Sequence, residues 1–253
     1  MRFKEFIREA RHREDISIEK ATDLLASRAS DADNRFDNPL WRGSKNMTEE
    51  AYLINGEAGN RASANTSNHY TVIMDHFLPN HGYPKRSKSI ILANDANKDY
   101  ARGFGTRYAI FPYDGVKIGV CSDNDLWHTY LKIGNAREIT IEDWNNIFKN
   151  LRISDENYVD LKFSIMSEMS ENEFAKSTSS TDEIFFKAFG NNMSKVESIL
   201  RDAYSPESLK LHLATSADIE KYEDTPRELW ISGKCIAIRE DIWKKMGDDR
   251  NIR

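Results

Sequence analysis

Three short stretches of this sequence carry residue types suited to chemistry on a phosphate-bearing ligand. The first is Pro39-Leu40-Trp41-Arg42-Gly43. An arginine fixed at the end of an apolar segment presents a planar fork to a phosphate or carboxylate, and the glycine after it lets another backbone come close. The same residues also read as a surface arginine before a turn. The second is Lys85-Arg86-Ser87-Lys88-Ser89-Ile90-Ile91-Leu92-Ala93-Asn94-Asp95, followed by Ala101 and Phe104-Gly105. An apolar run that ends in small polar residues and turns into a short helix offers backbone N–H groups, with Ser89, Asn94 and Asp95, to a ligand. Without a ligand it reads as a strand entering an Asn-Asp turn, with Lys85, Arg86 and Lys88 solvated. The third is Thr225-Pro226-Arg227-Glu228-Leu229-Trp230-Ile231-Ser232-Gly233-Lys234. It sets a carboxylate at the first position of an apolar strand near a tight turn. Glu228 is there either a catalytic group or a solvated edge residue.

Other chemistries find little footing. The histidines, His12, His69, His76, His81, His128 and His212, show no metal-ligand spacing. His76 and His81 lie near Asp75, but the HExxH pattern is absent, and no metal is expected. No P-loop, GxGxxG or GxSxG occurs. Cys121 and Cys235 are too few for a disulfide framework or a cysteine-rich zinc site.

The elements that must position these stretches can be read from apolar spacing. Residues 15–26 predict a helix, with Ile18, Ala21, Leu24 and Leu25 on one face and Asp15 or Ser17 as cap. Residues 27–38 read as a loop. Tyr70, Ile73, Met74, Phe77 and Leu78 recur with helical period, and Pro79 and Gly82 end that helix. Residues 89–93 predict a strand. Residues 97–104 predict one or two helical turns closed by Gly105. Residues 108–112 and 117–121 predict strands about Tyr113-Asp114-Gly115, a hairpin signal. Residues 140–151 and 181–203 read as helices. Residues 228–231 and 235–238 predict two more strands around Ser232-Gly233. The order is helix, strands, a mostly helical block over 128–224, then strands. This predicts a single α+β domain over 1–253, with the helical block as an insertion.

Composition agrees with that class. The chain has 253 residues, a net charge of -5 and 30% charged residues. Its 5 Trp, 12 Phe and 10 Tyr are enough to build a core, which excludes wholesale disorder. No apolar run approaches the roughly 18 residues of a membrane span, and the N-terminus has no signal-peptide core. The expected setting is a reducing cytoplasm, without membrane association. The acidic balance disfavours nonspecific binding to nucleic acid.

In order and spacing, the three stretches resemble the arginine–serine–glutamate class of ADP-ribosyltransferases, and within it the bacteriophage Mod/Alt-type enzymes. Leu40-Trp41-Arg42-Gly43 is similar to the arginine motif, residues 89–105 to the Ser-Thr-Ser strand and its helix, and Glu228-Leu229-Trp230-Ile231-Ser232-Gly233 to the glutamate motif. The resemblance covers about half of the chain. It implies a split β-sandwich around an NAD cleft, with N-terminal helices. It implies a phage-encoded mono-ADP-ribosyltransferase that uses NAD as substrate and modifies a protein or nucleic acid in the host cytoplasm. Arg42 would anchor the NAD phosphates, and Glu228 would be the catalytic carboxylate that stabilises an oxocarbenium-like transition state. Gly43, Ser89, Asn94, Asp95 and Phe104 would complete the NAD site. Two departures stand in the sequence. Ala93-Asn94-Asp95 replaces Ser-Thr-Ser, and Pro226 stands where enzymes that modify arginine carry Glu or Gln. An NAD glycohydrolase and a catalytically dead binding or virion protein are the alternatives.

Overall fold

The computed structural model describes residues 13–59, 74–75, 77–126, 201–202 and 204–251. They form a mixed α+β fold around one antiparallel sheet. Its strands are β1 (Arg13–Asp15), β2 (Leu40–Ser44), β3 (Ala51–Asn55), β4 (Ile90–Ala93), β5 (Thr106–Pro112), β6 (Ile118–Val120), β7 (His212–Ala214), β8 (Glu228–Ile231) and β9 (Lys234–Arg239). Their order across the sheet is β1-β3-β9-β5-β2-β4-β8-β6-β7.

Two short connections bend this sheet. Ser232 and Gly233 alone join β8 to β9, yet β5, β2 and β4 lie between those strands in the sheet. So short a link requires the two strand ends to meet, and the sheet must curl back on itself. The link between β5 and β6 does the same, and the β-turn at Asp114 and Gly115 is not a hairpin. β5 pairs with β2 and β9, while β6 pairs with β7 and β8. The expectation of a hairpin here is corrected. The turn residues bend the chain as predicted, but burial sends the two apolar strands to different parts of the sheet. The curl closes one face around a core to which almost every strand contributes, from Tyr52 and Ile54 of β3 to Ile118 and Val120 of β6 and Ala214 of β7.

The other face carries helices. In α1 (Ile18–Arg28), Ser17 is the N-cap, its hydroxyl accepting from the Lys20 N–H at 3.2 Å, and Ala21 and Leu25 are buried. A single turn, α2 (Ser30–Asp33), follows within the stretch expected to be loop. The C-terminal α4 (Glu240–Asn251), which the sequence reading did not foresee, lies on β5 and β9. Phe36 stacks on Phe111 at 5.4 Å, and Trp243 stands edge-on to Trp41 at 5.2 Å. No helix among the described residues is long and apolar enough to cross a membrane.

Most of the predicted helix at 70–78, and the helices at 140–151 and 181–203, lie outside the described residues apart from a few at their ends. Of the 128–224 block, residues 201–202 and 204–224 are described, and within them β7 pairs with β6 and extends the sheet.

Candidate active site

The three motif stretches meet in the middle of the sheet. β4 is flanked by β2 on one side and β8 on the other. Trp41 lies across from Ala93, and Ala93 across from Glu228. Residues in register share a face, so Trp41, Ala93 and Glu228 form one row. Arg42 is adjacent to Trp41 and starts from the opposite, core-lined face. Its guanidinium donates from Nη1 to the Ile91 carbonyl oxygen at 2.7 Å. That carbonyl sits beyond the one residue pair that joins β2 to β4 among the described residues. Arg42 therefore bridges the place where the two strands part.

Gly43 allows a close approach, as its position suggested. The partner is the chain itself: the helical turn α3 (Lys98–Arg102) crosses it. A Cβ at Gly43 would overlap the Ala101 carbonyl group, 2.9 Å from its carbon, and lie 3.0 Å from the Phe104 Cβ. Phe104 is partly exposed and meets Tyr100 edge-on at 5.3 Å. The Tyr100 hydroxyl donates to Asp125 at 3.1 Å.

The polar residues at the end of β4 hold neighbouring chain. The Asn94 side-chain amide donates to the Tyr222 and Thr225 carbonyls at 2.8 and 2.7 Å and accepts from the Arg227 N–H at 3.0 Å. It thus fixes the segment that leads into Glu228. Asp95 accepts from the Trp41 indole at 2.9 Å and from Lys98 at 3.0 Å. The Ser89 hydroxyl donates to the Lys85 carbonyl at 2.6 Å. Beside this group, Arg107 of β5 lies 5.3 Å over Trp41 and is paired with Glu240 and Asp99.

Glu228 is not a solvated edge residue. It opens an interior strand between β4 and β6 and is 5% exposed. Its N–H donates to the Asp123 carbonyl, and its own carbonyl accepts from the Cys121 N–H, both at 2.9 Å. Its Oε1 lies 2.6 Å from Nη2 of Arg86. Arg86, read from the sequence as solvated, is 2% exposed. The physical reason is Trp230, two residues beyond Glu228 and so on the same face. Its ring lies under the Arg86 guanidinium at 5.7 Å. Its indole N–H donates to the Pro84 carbonyl at 2.9 Å, and Tyr83 stacks on it at 6.2 Å.

Asp75 completes the support. Its carboxylate accepts from the N–H groups of Arg86 at 2.5 Å and Ser87 at 3.1 Å. Burial pushes its pKa above the ordinary value, against the lowering effect of those hydrogen bonds. Sequence reasoning passed over Asp75 and Arg86 as ligand-site residues. Arg86 lies in a polar run with no local sign of burial, while Asp75 stands among Met74, Phe77 and Leu78, whose apolar character was the signal that could have marked it as buried.

No family model, curated protein or solved structure matches the chain. Among the described residues no three His, Cys, Asp or Glu side chains are grouped to hold a metal ion. The arrangement offers two kinds of chemistry: a carboxylate in a largely closed setting, and a guanidinium at a parting of two strands.

Proposed function

We propose that this protein is an NAD-dependent mono-ADP-ribosyltransferase, phage-encoded, that modifies a host protein or nucleic acid. The observation that carries the reading is the row Trp41–Ala93–Glu228. Through it, three stretches far apart in sequence, with arginine, strand-end polar and glutamate character in that order, become neighbours on adjacent strands.

The chemistry follows from the residue types. Bond cleavage between nicotinamide and ribose leaves positive charge on the ribose. A carboxylate in a site of low polarity stabilises that charge far more than one in water. Glu228 supplies it. Arg42, which starts from the opposite face of the sheet, supplies a guanidinium suited to a diphosphate, bound to β4 by one of its nitrogens. Nicotinamide departs with the electron pair of the broken bond, and an acceptor nucleophile then bonds to the ribose carbon and gives up its proton to solvent.

A second reading is a degenerate transferase fold that serves as a binding or virion protein. Ala93 favours it, because the group facing Glu228 across the ladder has no polar atom. The ion pair with Arg86 favours it too, because it occupies the carboxylate from within.

Incubation with labelled NAD and a bacterial lysate separates these readings, with wild type beside Glu228→Gln at a temperature where both are folded. Label on a discrete macromolecule, lost in the variant, supports the transferase. Free ADP-ribose without labelled macromolecule supports a glycohydrolase using the same groups. Absence of nicotinamide release, together with no heat of NAD binding in calorimetry, refutes both enzymes and leaves the binding protein.

A further inference from the structure

We propose that Arg86 is the positioning residue of Glu228: its guanidinium holds Oε1, so that Oε2 is presented to a hydroxyl of the ligand. The inference rests on the reading above in one respect, that Glu228 is the working carboxylate.

A carboxylate at the head of β8 needs a partner to fix its rotamer, and across β4 it meets the methyl group of Ala93. The partner is the opposite charge of Arg86, 142 residues earlier in the chain, whose Nη2 lies 2.6 Å from Oε1 as an ion pair.

What holds Arg86 is rigid. Asp75 binds the two backbone N–H groups at Arg86 and Ser87. The Trp230 indole binds Pro84, and its ring carries the guanidinium. Ser89 closes the turn by its bond to the Lys85 carbonyl. Since Glu228 and Trp230 are alternate residues of one strand, the same strand sets both the carboxylate and the surface on which Arg86 rests. A group held within a fraction of an ångström by its own supporting contacts is what a working side chain requires.

Two buried charges lose hydration, and an apolar pair of equal volume commonly serves stability as well or better. The turn also keeps a third ionisable group, Asp75, in a buried place. Stability alone does not call for such a set. Control of one carboxylate does.

The test uses the full chain and two readouts. Nicotinamide release from NAD is measured for wild type, Arg86→Met and Arg86→Lys, with folding checked by circular dichroism. The methionine keeps an apolar stem on Trp230. Its kcat should fall about 10–100-fold, the usual loss when a supporting partner of a working group is removed. KM for NAD should stay within about twofold, and Arg86→Lys should recover part of kcat. Unchanged kcat in Arg86→Met overturns the proposal, as does a loss that falls on KM alone.

The second readout needs no turnover: labelling of carboxyl groups by a water-soluble carbodiimide with an amine, read by mass spectrometry. Glu228 should be protected in wild type and labelled severalfold faster in Arg86→Met, with Glu240 unchanged as internal control. If wild type releases no nicotinamide while Glu228 labelling responds in this way, the transferase reading fails and the positioning stands. If Glu228 labelling does not respond, the positioning fails whatever the activity. Should Arg86→Met not fold, Arg86→Lys against wild type carries both readouts.

Discussion

Replacing Glu228 by Gln should weaken the whole fold, although the two side chains have nearly the same shape. The change removes a negative charge 2.6 Å from a guanidinium that is 2% exposed. The Glu228 side chain is itself 7% exposed, so solvent screens the pair little. Removing one partner of a buried ion pair typically costs about 3–5 kcal/mol, because the remaining charge stays desolvated. A domain has about 5–15 kcal/mol of stability in all, so the loss is a large share of it. With a urea m-value of about 3 kcal/mol/M, at the upper end of the usual range and suited to this length, the unfolding midpoint should drop by about 1–1.7 M. Urea titration followed by tryptophan fluorescence measures this, and Trp230 lies against Arg86 to report the transition. The double variant Arg86→Met with Glu228→Leu, which removes both charges, should recover most of the loss. An unfolding free energy for Glu228→Gln within about 0.5 kcal/mol of wild type, the range of ordinary surface changes, would refute the reasoning. The same result would mean that the pair is open to water.

Further predictions concern the same region. Gly43→Ala should destabilise the protein by about 2–3 kcal/mol, because its Cβ overlaps the Ala101 carbonyl group and α3 must move; unchanged thermal unfolding would show that α3 yields freely. Gly119→Ala sets a Cβ 2.7 Å or less from atoms of the Trp230 ring, which is held by Pro84 and Tyr83. A similar loss, about 2–3 kcal/mol, should come with a shifted tryptophan emission, and a silent variant would mean that the ring moves at little cost. Asp75 gives a pH signature. Its folded pKa lies above the ordinary 3.8 through burial, so the folded chain holds that proton to higher pH than the unfolded chain. The stability it contributes is fully present below about pH 3.8 and is lost as pH rises through the folded value. The unfolding free energy of wild type minus that of Asp75→Asn should therefore fall as pH rises from 3.8 across that interval; a flat or rising difference would contradict the assignment.

What could be read from the sequence was local. The helical period of Ile18, Ala21 and Leu25 and the cap at Ser17 are both properties of a dozen residues, and both appear in α1. The apolar runs of β4, β8 and β9 were legible for the same reason, as was the place of Glu228 at the head of a strand. Strand partners were not. Tyr113-Asp114-Gly115 specifies a turn, but whether β5 and β6 then pair depends on what else competes for their edges, and β9 and β2 take those of β5. Arg86 was illegible on the same grounds. Within Lys85-Arg86-Ser87-Lys88 it is one cation among three, and nothing nearby in sequence marks it as the one that is buried. Its partners, Glu228 and Trp230, lie more than 140 residues away. Asn94 shows the same limit from the other side: an amide with donors and acceptor aimed at a turn serves a backbone as readily as a bound molecule.

The junction of β2 with β4 has a consequence for how the molecule comes apart. In β5 and β9 a broken hydrogen bond has paired residues on both sides that re-form it at once. Among the described residues Trp41 and Ala93 are joined with no such neighbours in their ladder. Amide protons along this line should exchange for deuterium through local opening, while those of β5 and β9 wait for global unfolding. This line runs beside Arg42 and one strand away from Glu228, so exchange there would report opening between the two groups assigned to one reaction, across which the Arg42–Ile91 and Trp41–Asp95 hydrogen bonds are side-chain ties.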